Sequence, residues 1–394
     1  MPFRKINKLQ VTFLVSMLFG YELISFFPGL LEMESSRPVS VGYRIIVFLL
    51  GTLVILKNRL VLKPQHFLIY FFWLLYLLRL VYDTAFVPGL QTPLVDYWAF
   101  SVIIILTSLA CTTNFSQSTI LSARKWVLIV LCIVNVWGLY NNITQPKLVP
   151  DDVLVRADAN ESFNTLSFGK AAATMFLVCF MIFMEKNKMI YKILLIVIMA
   201  LSIFNIFIAG SRGPFIQLVL IIGLYLLSQR KAIHIKYIIW LAVIAIGVFT
   251  IFPEYLDSSR LLFERISETG FSSNDSDRIR GELFNSAWEQ FLNHPFLGDS
   301  IETKIGGTYP HNIVLEALMT TGFVGGIIMI IITVGGLKNG IKYLKISDYN
   351  WIGAILILNI ISSFSSGSIS NDMLLWPLLT LTVNSQIDEV NGEV

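Results

Sequence analysis

Apolar runs about 20 residues long recur along this chain, and a run of that length is what one helix needs to cross a bilayer. Inside hydrocarbon every backbone N–H and C=O must find its partner within the protein. Continuous apolar runs therefore span as helices. Only 14% of the residues are charged and the mean hydropathy is +0.71, whereas a soluble domain carries about 25% charged residues. The chain reads as an all-α integral membrane protein.

About 12 spans are expected, at residues 10–30, 41–56, 67–82, 94–112, 126–142, 167–184, 190–209, 214–228, 237–252, 311–336, 350–364 and 369–384. The first follows Arg4, Lys5 and Lys8 as a signal peptide would. It is longer than a signal segment and lacks a small-x-small cleavage site, so it reads as an uncleaved span. With a cytoplasmic N-terminus, one set of loops holds seventeen Lys and Arg residues, among them Lys57, Arg124, Lys186, Lys338, Lys342 and Lys345. The short loops opposite hold only Arg37, Lys147, Arg156 and Arg212. Positive loops stay inside, which places both termini in the cytoplasm. Three regions follow: spans 1–9 over residues 1–252, a large extracytoplasmic loop over 253–310, and spans 10–12 with a short cytoplasmic tail over 311–394. Cys111, Cys132 and Cys179 all fall in apolar runs, an odd number without metal spacing, so neither a disulfide framework nor a zinc site is expected.

A loop as long as 253–310 is functional or disordered, and its composition is not that of disorder. It contains "SDRIRGELFNSAWEQFLNHPFLG", an amphipathic helix with Asp277 or Ser276 as N-cap and Pro295 past its end. Ile279, Leu283, Phe284, Ala287, Trp288, Phe291 and Leu292 share one broad face, which must pack on the membrane portion or lie in the interface. Ten acidic residues against five basic ones make the loop no polybasic patch for anionic lipid. Its arginines, if functional, act singly.

The charge rule makes outer arginines informative. Arg212 sits in "FIAGSRGPF", a turn between two spans with almost no loop to hold it. It either snorkels to the interface or faces a polar ligand across a backbone opened by Gly and Gly-Pro. Arg278 projects onto the polar face of the loop helix and can pair with Glu282. Arg280 projects near the middle of the apolar face, where a guanidinium is costly to desolvate unless it meets an anion. Two guanidiniums at the outer boundary suit a diphosphate gripped through bidentate hydrogen bonds. No Gly-rich nucleotide loop precedes any helix, so a phosphate there is carried by a lipid, and no nucleic acid is expected as partner.

The tenth span opens "HNIVLEALMTTGFVGG". His311 and Asn312 either cap this helix or form half of an active site. At a helix N-terminus the dipole disfavours imidazolium, which leaves a neutral ring able to accept a proton. Gly322, Gly325 and Gly326 include a Gly-x-x-x-Gly spacing, which is expected to pack the helix closely against a neighbour.

Three separated patterns together resemble the O-antigen ligase and polymerase family of bacterial cell-surface polysaccharide assembly. They are "SRG" at 211–213; Arg280 with Phe284 and then "HPFLG" at 294–298; and "HN" at 311–312 followed by "GFVG" at 322–325. The resemblance covers about residues 205–330 in the family's order. It departs from the family at Phe284, where tryptophan is common, at Ser300, where a second glycine is common, and in the short segment 299–310.

The resemblance implies a metal-independent, inverting glycosyltransferase without cofactor, in the bacterial cytoplasmic membrane, working at the extracytoplasmic face. Arg212 and Arg280 would hold the diphosphate of an undecaprenyl-diphosphate-linked glycan. His311 would deprotonate or orient the acceptor hydroxyl. Arg278, Asn312, Arg156 and Lys170 are further candidates for substrate contact. Flippase and chain-length regulator proteins would be its neighbours in the membrane. The compact stretch before His311 favours a polymerase, whose acceptor is another lipid-linked glycan, with an O-antigen ligase using lipid A core as the alternative. A transporter or flippase is the non-enzyme reading. It should show ionisable residues near mid-membrane and a repeat between halves, whereas here the ionisable residues cluster at the outer boundary.

Overall fold

A computed structural model of the protein describes residues 6–31, 33, 35–87, 89–144, 165–185, 188–229 and 275–383. The expected ninth span, Arg156 and residues 253–274 of the large loop lie outside the described residues. In chain order the helices are α1 (Lys8–Leu30), α2 (Arg37–Lys57), α3 (Pro64–Phe86), α4 (Leu94–Ala110), α5 (Gln117–Thr144), α6 (Thr165–Glu185), α7 (Met189–Ile208), α8 (Arg212–Ser228), α9 (Asp275–Asn293), α10 (Ile313–Leu344), α11 (Asn350–Ser366) and α12 (Leu375–Val383). Seven of them are long and apolar enough to cross a membrane; α4, α8 and α11 are shorter apolar helices. The protein is an all-α membrane protein. Among the described residues each expected span coincides with a helix, although α12 is only nine residues long.

The chain divides into two compact units. One comprises residues 1–46, 116–269 and 341–358; the other comprises 47–115, 270–340 and 359–394.

The first unit is organised around α6, which is buried almost all round. Ala171, Ala172 and Ala173 let neighbouring backbones come close, and Met175 to Met181 fill the space they leave. Several polar residues inside this unit pair with one another. Asn205 of α7 donates to the side-chain and backbone oxygens of Asn135 on α5, at 3.0 and 3.1 Å. Arg124 pairs with Glu185 at 2.8 Å, and Asn350 donates to the same carboxylate. An unpaired polar group in such surroundings costs several kcal/mol, so each pair fixes how its helices rotate.

The second unit has an aromatic core where α3 meets α12. Trp376 lies 5.0 Å from Trp73 and stacks on Phe72 at 5.5 Å, and its indole N–H donates to the Ile369 carbonyl. Pro64 starts α3 at the first helical position, where its missing N–H is harmless. His66 is wholly buried there. Its Nδ1 accepts from the Lys63 N–H at 2.9 Å, which leaves Nε2 to donate to the Thr380 carbonyl at 3.1 Å. One neutral tautomer thus ties α3 to α12.

α10 carries the feature that matters most for the site. Gly322 interrupts it with φ 67° and ψ −161°, so a straight helix is impossible there. In a straight helix the Phe323 N–H would donate to the Met319 carbonyl four residues back. Instead it donates to the Pro295 carbonyl at 2.7 Å, and the Met319 carbonyl accepts from the Asp299 N–H at 2.8 Å. The turn 295–299 is spliced into the broken rung, one bond on each side, and both freed backbone groups are satisfied. Both chains must approach as bare backbone. A Cβ on Gly322 would collide with the Phe296 carbonyl, and one on Gly298 (φ 74°) with the Thr320 carbonyl. The Gly-x-x-x-Gly spacing is therefore not used as expected. A Cβ on Gly326 would meet only the Leu318 side chain of its own helix.

Candidate active site

The segment after α9 is pinned to the second unit along its length. Asp83 on α3 is fully buried, pairs with Arg79 at 2.7 Å and accepts from the Ile301 N–H at 2.7 Å, while Arg79 donates to the Gly298 carbonyl. The buried Glu302 carboxylate accepts from the backbone N–H groups of Gln91 and Thr92, both at 2.8 Å, and from the Tyr97 hydroxyl at 3.0 Å. Burial alone would raise the Asp299 carboxyl. Hydrogen bonds from Lys304 and Gln290, with the charges of Lys304 and His294, hold it below its ordinary value instead. The approach to His311 is thus a fixed strap.

α9 packs on that strap. Gln290 donates to the Glu302 carbonyl and accepts from the Lys304 N–H. This rotates the helix away from the expected face. Leu283, Ala287 and Phe291 are buried as predicted, but Ser286 and Gln290 join them, while Ile279, Trp288 and Leu292 are exposed. The amphipathic pattern alone misleads here because the surface beneath the helix is polar backbone. The same rotation separates the two arginines. Arg278 is exposed and paired with Glu282 at 2.9 Å, as the spacing predicts. Arg280 is half-buried and faces Tyr309 and His311 closely enough for its charge to act on both.

His311 follows the strap and precedes the first residue of α10. Its φ is 58°, the sole positive φ outside glycine among the described residues. A left-handed histidine costs about 1 kcal/mol, and such outliers persist where the surroundings over-determine them. The ring is half-buried and meets Tyr309 edge-to-face, with centroids 4.6 Å apart at 67°. Burial, and then the positive charge of Arg280, hold the imidazole below its ordinary pKa of 6.5. Near neutral pH the ring is uncharged and can take a proton. Burial in turn raises the Tyr309 phenol, which stays protonated.

Asn312 performs the capping half of the motif. Its Oδ1 accepts from the N–H groups of Val314 and Leu315 at 3.1 and 3.0 Å, and its Nδ2 donates to the Phe364 carbonyl at 3.0 Å. One turn further on, the buried Glu316 accepts from the Ile369 N–H at 3.0 Å. These bonds fasten the first turns of α10 to the end of α11 and the chain just after it, and so hold the histidine still.

Arg212 belongs to the first unit. It is the first residue of α8, half-buried, after Gly210 at φ 54°. The dipole of a helix start favours an anion beside it. Gly169 of α6 approaches this turn closely, since a Cβ there would lie 3.3 Å from Pro214 and 3.4 Å from Ser211. That brings Lys170 to the same turn, where it also lies within electrostatic reach of Glu22. Tyr309 escaped the sequence reading; an aromatic residue two positions before the histidine was the signal for it.

Residues 197–330 match a family model described as O-antigen ligase, a segment that contains Arg212, Arg280 and His311. Over 332 residues the chain is 24% identical to the ComP-specific O-oligosaccharyltransferase of Acinetobacter baylyi, covering 76% of this chain and 58% of that protein. The chain therefore spans a little over half the length of that relative. No solved structure matches.

Proposed function

We propose, for a chain similar over residues 197–330 to the O-antigen ligase family, a ligase-type transfer of an undecaprenyl-diphosphate-linked oligosaccharide to an acceptor hydroxyl. The observation that carries the chemistry is the left-handed turn that sets a neutral His311 against Tyr309 and within reach of the Arg280 charge. His311 takes the acceptor proton as the acceptor oxygen attacks the anomeric carbon. The bond from that carbon to the diphosphate oxygen breaks, and lipid diphosphate leaves with the electron pair. Arg280 stabilises the charge gathering on the leaving group. Direct displacement inverts the anomeric centre.

Arg212 keeps the role that its motif implies, a guanidinium that holds phosphate, and its place at a helix start of the first unit supports anion binding there. Lys170 and Arg156 are further phosphate or glycan contacts. Arg278 is a peripheral one, and Asn312 serves by positioning His311. The active site faces the extracytoplasmic side of the cytoplasmic membrane.

The order of acceptors differs from the one favoured by sequence alone. The compact stretch before His311 favoured a polymerase, but both comparisons carry names for transferases that ligate glycan or oligosaccharide. A core lipid or protein acceptor comes first, and lipid-linked glycan second. The test supplies purified protein with undecaprenyl-diphosphate oligosaccharide and each acceptor in turn. Core- or protein-linked product is expected; a ladder of longer lipid-linked chains identifies a polymerase, and no transfer to any acceptor overturns the enzyme reading. In that assay His311→Ala should lower turnover roughly a hundred- to ten-thousand-fold, and Arg212→Ala and Arg280→Ala roughly a hundred- to a thousand-fold. Normal activity in all three variants rejects the site.

A further inference from the structure

We infer that the turn Pro295–Gly298 is a membrane-interface anchor, with Phe296 and Leu297 seated in the bilayer at the level of the α10 kink. Phe296 and Leu297 are each 81% exposed, the most solvent-open large apolar side chains among the described residues. They do not project from a loose loop. The hydrogen bonds from Phe323 to Pro295 and from Asp299 to Met319 splice their turn into α10, and Arg79 holds the Gly298 carbonyl. Two bulky apolar residues held rigidly outward need an apolar medium, since full burial of such a side chain is worth about 1.5–3 kcal/mol.

The length of α10 says which medium. All 32 residues would reach about 48 Å, far more than a hydrocarbon core of about 30 Å. The part after the kink, from Phe323 to Leu344, reaches about 33 Å, so it crosses the core by itself. Its far end carries Lys338 and Lys342, which mark one membrane surface. Gly322 then stands at the other surface. Phe323 and Val324, just past the kink, are 55% and 52% exposed and lie on the lipid-facing side of the crossing segment. The Phe323–Pro295 bond places Phe296 and Leu297 beside them, which makes the turn a continuation of the lipid-facing surface. The anchor sets the depth of the kink, and with it the height above the membrane at which the strap delivers His311. The inference does not depend on the transfer reaction.

The experiment uses the full chain with Leu297→Cys, nitroxide-labelled and reconstituted in vesicles of phosphatidylethanolamine and phosphatidylglycerol. Power saturation is measured with oxygen and with a water-soluble nickel chelate. The substituted side chain is exposed, and the unsubstituted protein reports background labelling of Cys111, Cys132 and Cys179, which are buried or half-buried. Lys304→Cys, on an exposed position of the strap, serves as the aqueous reference. A several-fold higher oxygen-to-chelate ratio at 297 than at 304 is the expected result. Equal chelate access at the two positions puts the turn in water and overturns the inference. Low access to both reagents at 297 means that another protein surface covers it, and overturns it equally.

Discussion

The chemistry proposed for His311 depends on keeping a histidine neutral beside the Arg280 cation. Burial and the Arg280 charge act in the same direction, because each penalises imidazolium. A lowered pKa means that the base form persists below the ordinary 6.5 and is lost only as the pH falls through the lowered value. Turnover should therefore stay on its plateau down past pH 6.5. Replacing Arg280 by Met removes one of the two depressing causes, so the acid limb of the residual activity should move up toward neutrality. A pH–turnover profile of the two proteins checks this, and an unmoved limb shows that Arg280 does not act on the histidine. At this scale the sequence was legible in part. The proximity of helix start and histidine could be read directly, and so could the i, i+4 pairing that occupies Arg278. The left-handed backbone at His311 could not, because nothing in a His-Asn dipeptide distinguishes a capping turn from a strained one. The structure shows both at once: Asn312 caps, and the strain falls on its neighbour.

At the scale of elements, the site is built by a loop that repairs a broken helix. Gly322 and Gly298 are needed because each is in a left-handed region and each faces a carbonyl oxygen at closer than a methyl group allows. Gly322→Ala should cost about 2 kcal/mol or more, the strain of φ 67° plus the displaced strap. Gly326→Ala meets Leu318 of its own helix, whose side chain has to turn aside, and should cost less than that because no left-handed strain is added. Thermal unfolding in detergent distinguishes the kink from helix packing: equal losses at the two positions favour the Gly-x-x-x-Gly reading. The difference between α9 as expected and as found has the same origin. The sequence located its end before Pro295 and put Leu283, Ala287 and Phe291 inside, although the helix begins at Asp275, ahead of the expected caps Ser276 and Asp277. It could not show that the partner surface is the backbone of residues 302–304, which buries Gln290 and turns Trp288 and Leu292 outward. A hydrophobic pattern reports how apolar a face is, and here the partner asks for hydrogen bonds.

At the scale of the whole molecule, the helices follow from apolar run length, whereas their direction through the bilayer rests on charge. Seventeen basic residues on one set of loops against four on the short opposite loops is a strong bias, and Asp or Glu would not offset it. On the proposed topology it sets the end of α10 that carries Lys338 and Lys342, with Lys345 just past it, in the cytoplasm, and the strap with His311 on the other side. In the proposed reaction that direction would fix the pool of substrate, because a lipid-linked glycan assembled inside would be within reach only after it had been turned outward. The test is single-cysteine labelling in intact spheroplasts with a membrane-impermeant maleimide. Lys304→Cys, on the exposed part of the strap, should label without permeabilisation, and Lys345→Cys only after it. Both residues lie outside the membrane-crossing stretches, and neither has been given a part in the chemistry, so loss of function does not confuse the readout. The reverse pattern would put His311 in the cytoplasm, against the charge bias, and would remove the extracytoplasmic donor from the proposed reaction while leaving the geometry of the turn intact.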